Sequence, residues 1–209
     1  MAILAGLLAG CAGAIHALDA AKDRADRGDW AALAAEPVPA CDGRDPICAQ
    51  RQALRARACA LQAGAANLSE AARRPFLDCA VESGRAAIAA SEAPPRPWRE
   101  AYALALFTRR QARPGAEACR DNAPLLSEAD GLRASGTDRL PRFLAASARL
   151  AAVTRCGATP ACPYLSEAGA LLNDPPSGAA VQWQALAAGI AATARRLSCG
   201  PGPVENAGG

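Results

Sequence analysis

Cysteines flank the helix breaks of this chain, and their placement constrains the fold more than any other feature. There are nine Cys in 209 residues. In an antiparallel helical hairpin, residues equidistant from the turn face each other. Cys59 and Cys79 are centred on Ser69, and Cys119 and Cys156 are centred between Thr137 and Asp138. Both centres fall where the helical pattern stops. Each pair can therefore bring its Cα atoms within the ~4.4–6.8 Å that a disulfide needs. Cys41 and Cys48 bracket a short loop and can close it. Cys162 and Cys199 then pair by elimination, with a Cys156–Cys162 bridge as the alternative. Zinc ligands usually come two to four residues apart, and no CxxC or CxxxC occurs, so no metal is expected.

The composition points to helices. Hydrophobic residues make up 51% of the chain, but many are Ala, and aromatics are only 4%. Ala favours helix and adds little core volume, and the residues that favour sheet are sparse. About eight helical stretches follow, joined by short loops. The first runs over 14–35 and ends at Glu36-Pro37-Val38-Pro39. Asp45-Pro46 starts the next, with Asp as cap and Pro at the first position, and Leu54, Ala58 and Leu61 form its apolar face. From Ser69 to Ala90 the stripe is Phe76, Leu77, Ala80, Val81, Gly84, Ala87 and Ile88, at helical spacing throughout. Pro94-Pro95-Arg96-Pro97 breaks the chain. Helices over 98–112, 116–134, 140–156, 162–172 and 177–198 complete the series, and Asp174-Pro175-Pro176 separates the last two. Residues 201–209 read as a mobile tail. The expected fold is all-α, in antiparallel hairpins stapled by disulfides. One helical domain covers 11–200, with possible halves at 11–93 and 98–200.

Residues 2–10 form an apolar run that ends in Leu8-Ala9-Gly10-Cys11. Its length fits a signal h-region and falls far short of a bilayer span. This run resembles the lipobox of bacterial lipoproteins, in which the leader is cleaved before a Cys that becomes lipid-modified. The resemblance implies a leader at 1–10 and a lipid anchor at Cys11. The residue after it is Ala12 and not Asp, which by the same resemblance implies the outer membrane. No Lys or Arg precedes the apolar run, a departure from the usual signal pattern. With Cys11 acylated, eight cysteines remain, an even number suited to an oxidising compartment.

The piece Ala80-x3-Gly84-x2-Ala87, followed by Pro94, resembles the second helix of a tetratricopeptide (TPR) repeat. Gly84 stands where that family has an aromatic residue, and the Pro is displaced by about two positions. Trp98 and Tyr102 fit the next first helix. The resemblance covers about 60 residues and implies right-handed stacking of hairpins; an irregular helical bundle is the other arrangement open to this chain.

Little in the sequence points to catalysis. The only His is His16, beside the expected anchor, so no His-assisted nucleophile is at hand. No phosphate-binding GxxxxGK[ST] occurs, and Lys22 is the only Lys. The net charge of +3 and the few scattered aromatics argue against nucleic acid. No enzyme activity or cofactor is expected. The charge distribution is more informative. Residues 12–50 carry four basic and seven acidic side chains, and residues 51–120 carry twelve and six. The central stretch is thus Arg-rich and can meet an anionic partner. Trp98, Tyr102, Arg109, Arg110 and Arg113 form the candidate partner-binding face, since aromatic and Arg side chains dominate binding hot spots. The expected role is a protein-binding or scaffolding module of the cell envelope. An envelope enzyme or enzyme subunit without a recognisable motif, or a cytosolic protein with a buried first helix, are the other classes.

Overall fold

The computed structural model describes residues 2–136, 138–173 and 181–200, with side chains from residue 13 onward. Among the described residues all regular structure is helical. The helices are α1 (Ala2–Asp26), α2 (Trp30–Ala35), α3 (Pro46–Ala63), α4 (Glu70–Ala89), α5 (Arg96–Ala112), α6 (Gly115–Ala134), α7 (Arg139–Thr154), α8 (Ala161–Leu172) and α9 (Val181–Arg196). The expected start of the last helix, the Asp174-Pro175-Pro176 break and the 201–209 tail lie outside the described residues.

Local chemistry sets the helix starts. The Asp45 carboxylate accepts hydrogen bonds from the backbone N–H groups of Ile47 and Cys48 at 2.9 and 3.1 Å, with Pro46 behind it in the first turn. Ser69 Oγ accepts from Ala72 N–H at 3.2 Å and opens α4. These caps satisfy backbone donors that a helix leaves unpaired. The stretch 14–35 is two helices where one was expected. Gly28 takes a left-handed φ of 73°, which ends α1. Asp29 then caps α2 by accepting from Ala32 N–H at 3.4 Å.

The chain forms two compact units, Met1–Ala112 and Arg113–Gly209. This division differs from the expected halves at 11–93 and 98–200, because α5 packs on α4. Gly84 makes that packing close. A Cβ at Gly84 would lie 3.0 Å from Tyr102 Cδ2, so the ring occupies the space a side chain would need. Arg109 also donates to Asp78 across the α4–α5 seam at 3.2 Å.

In the first unit α3 packs on α1, α2 and α4. Its core is mostly small: Ala49, Ala58, Cys59 and Ala63 on α3 are buried, as are Leu77, Ala80, Val81 and Ala87 on α4. Glu36 joins the first three helices by accepting from Arg24 and, at 3.3 Å, from Arg51. In the second unit α7 is central, against α6, α8 and α9. Leu165, Ala168, Leu172, Trp183 and Ile190 form its apolar cluster around Ala146. Arg149 on α7 is buried and reaches Asp130 on α6 with two hydrogen bonds of 3.0 Å, and Glu167 on α8 with one of 2.7 Å. Burial alone would lower its pKa. The hydrogen bonds and negative charge of Asp130 and Glu167 outweigh that effect and raise it, so Arg149 stays charged.

Four disulfides staple the helices: Cys41–Cys48, Cys59–Cys79, Cys119–Cys156 and Cys162–Cys199, with Cα separations of 5.6, 5.9, 5.6 and 5.4 Å. The Cys156–Cys162 alternative is not the pairing present. All eight cysteines from Cys41 onward are in bridges.

Candidate protein-binding groove

An open groove runs along the first unit. Its floor is α4, with α3 and α5 as walls. Two cavities of about 530 and 480 Å³ make it up, and both are lined by Arg57 and Ala101. On α4 the lining residues are Arg73, Leu77, Ala80, Gly84 and Ala87. Their steps of four, three, four and three residues keep them on one helix face. On α3, Gln50, Ala53, Leu54, Arg57, Ala60, Leu61 and Gly64 follow the same rule, and Trp98, Ala101, Leu104, Ala105 and Thr108 do so on α5.

Most of these side chains are small, which is why a groove exists. Facing Ala and Gly residues leave space between α3 and α5 that larger side chains would fill. Two large aliphatic residues on the walls are exposed. Leu61 and Leu104 are 47% and 45% exposed on opposite sides. The sequence reading placed Leu61 with Ala58 on one core face. In the structure Ala58 is buried and Leu61 lines the groove, because three residues carry α3 round to its open side.

Three cations line the groove. Lys22 of α1 is exposed and lies with Gln50 and Trp98 at one end. Arg57 is exposed at the middle, its guanidinium 5.0 Å from the centre of the Trp30 ring. Arg73 lies with Gly64 and Thr108 at the other end, and its Nε is buried without a hydrogen-bond partner. No Asp or Glu is among the lining residues.

Of the five residues expected to bind a partner, the structure brings Trp98 and Tyr102 into the groove. Tyr102 is mostly buried there, seated on Gly84, and Trp98 is half-buried. The other three lie elsewhere. Arg109 pairs with Asp78. Arg110 is 2% exposed, with its guanidinium 5.3 Å from the Phe107 ring centre. It sits nine residues after Ala101, about half a turn round the helix, so it faces away from the groove. Arg113 begins the second unit. The sequence reading missed Lys22, Arg57, Arg73 and the stripe on α4. The regular steps of small residues along three successive helices were the available signal.

No protein-family model, curated protein or solved structure matches this chain. Among the described residues, no helix is long and apolar enough to cross a membrane.

Proposed function

We propose that this chain is an exported cell-envelope lipoprotein, anchored through Cys11 to the outer membrane, and that its TPR-like helical hairpins bind or scaffold another protein. The observation that carries the binding reading is the open apolar groove on α3, α4 and α5, with Leu61 and Leu104 exposed on facing walls. Exposed large apolar side chains that converge in a concavity mark an interaction surface more often than isolated ones. The packing of α4 between α3 and α5 is compatible with TPR-like stacking. Export is supported by Leu8-Ala9-Gly10-Cys11 and by four disulfides that use every other cysteine.

Two experiments test this reading. Intact mass of protein from its native host, alkylated without reduction, should give a chain that starts at Cys11, carries lipid and takes up no alkylator. A chain that starts at Met1 with nine alkylated thiols sinks the export claim. For the groove, a photo-crosslinking residue at exposed Ala101 should trap an envelope protein in living cells. The same residue at exposed Glu82, half a turn round α4 from the floor stripe, should not. Equal trapping at both positions refutes binding through the groove.

A further inference from the structure

We infer that the groove takes an acidic amphipathic helix of about four turns from a partner protein. Its carboxylates would sit about seven residues apart, opposite Lys22, Arg57 and Arg73. This rests on the protein-binding reading above and names the class of partner.

The length comes from the α3 wall. Gln50 to Gly64, the residue that caps α3, covers fifteen residues, about 21 Å over fourteen steps of 1.5 Å. The occupant's conformation follows from hydrogen bonding. Apart from Lys22, Arg57 and Arg73, whose side chains are donors only, the lining is mostly Ala, Gly and Leu, with Trp98 and Tyr102 on α5 and Gln50 and Thr108 near the ends. An extended peptide there would lose water from its backbone and find few protein partners. A helix satisfies its own backbone and offers only side chains to the walls. The α4 stripe from Leu77 to Ala87 beneath is buried, so contact falls to the walls: the small residues Ala53, Ala60 and Ala101 leave room for large side chains from outside, and Leu61 and Leu104 meet them from the sides.

The charge comes from the three cations and the absence of any lining carboxylate. Lys22 marks the Gln50 end, Arg57 lies seven residues along α3 from Gln50, and Arg73 marks the Gly64 end. Acidic residues at a seven-residue spacing return to nearly the same helix face, so one edge of an occupant can meet all three cations. Such pairs set orientation and speed association.

The test is selection of sixteen-residue peptides from an unbiased displayed library against the full oxidised chain, followed by fluorescence anisotropy of the winners. The expected winners are acidic, gain helical circular dichroism on binding and weaken as salt rises. Ala101→Trp, which fills the groove from an exposed position, should abolish binding. Arg57→Glu and Lys22→Glu should each weaken it about tenfold. If Ala101→Trp fails to fold, Leu61→Arg and Leu104→Arg, both at exposed positions, take its place. Winners that are basic, uncharged or bound in extended form, yet lost in the groove variants, overturn this inference and leave the groove as a binding site. Winners that bind equally well to the groove variants, or an empty selection, overturn both.

Discussion

Replacing Arg149 by Met tests whether the second unit depends on a single buried cation. The Arg149 side chain is 9% exposed, Asp130 33% and Glu167 61%. Met keeps most of the aliphatic stem in place, so the loss is mainly electrostatic. Charge-assisted hydrogen bonds contribute about 1.5–3 kcal/mol net when shielded, and much less when one partner is exposed. The two bonds to Asp130 should therefore dominate, and the one to Glu167 should add little. Removing Arg149 leaves two carboxylates that can reach water, so the larger penalty of an orphaned buried charge does not apply. The expected cost is about 2 kcal/mol, from these ranges. Urea unfolding of the oxidised protein measures it, with Trp30 and Trp98 changed to Phe so that Trp183 alone reports. Double-mutant cycles with Asp130→Asn and Glu167→Gln separate the pairs. The coupling with Asp130 should be about 1.5 kcal/mol and that with Glu167 about 0.5 kcal/mol. A cost below about 0.5 kcal/mol, the level of a surface substitution, would refute the reasoning. So would a larger coupling to Glu167 than to Asp130.

Two further outcomes follow from the staples and from Gly84. Replacing each disulfide pair by Ala should destabilise in order of the loop it closes, as read by urea midpoints. Loop entropy gives about 2.5 kcal/mol for Cys41–Cys48, about 3.3 for Cys59–Cys79 and about 3.9 for each of the two that close loops of separation 37. If removing Cys41–Cys48 cost the most, chain entropy would not be the main source of the stabilisation. Gly84→Ala should lower stability by about 1 kcal/mol, because crowding Tyr102 costs about 1–3 kcal/mol and the helix gains about 1. A stabilised variant would show that Tyr102 can move aside freely.

Much of the helix layout was legible because it rests on short-range chemistry. Asp45-Pro46 and Ser69 announce caps, and the disulfide partners of the hairpins follow from symmetry about the turns. The break at Gly28 was not legible. The residues around it keep helical spacing, and a single Gly is often tolerated inside a helix. The groove was half legible. Trp98 and Tyr102 stand out in an aromatic-poor chain, but Ala53, Ala80 and Ala101 look the same in sequence whether they are buried in a core or line an open wall. Leu61 shows the same ambiguity. Periodicity says that a face is apolar and does not say whether another helix covers it. Arg110 was misplaced because Arg is rarely buried, and no local signal marks the exception.

The groove is shaped by small residues more than by the staple beside it, and this distinction can be measured. Cys59–Cys79 joins α3 to α4, the wall to the floor. A disulfide acts mainly by restricting the unfolded chain. Buried Ala residues on both helices, among them Ala49, Ala63, Ala80 and Ala87, already fill the neighbouring core. Cys59→Ala with Cys79→Ala should therefore lower stability while leaving the affinity of the folded fraction for a groove peptide within about twofold. Gly84→Ala should behave in the opposite way. Its Cβ displaces Tyr102, which lines the groove, so affinity should fall even though the stability change is smaller. Anisotropy titrations of both variants, in buffer where each is fully folded, read the two effects apart. If the double Cys variant lost affinity about tenfold while still folded, the disulfide would be holding the wall in position, and small-residue packing alone would not account for the groove.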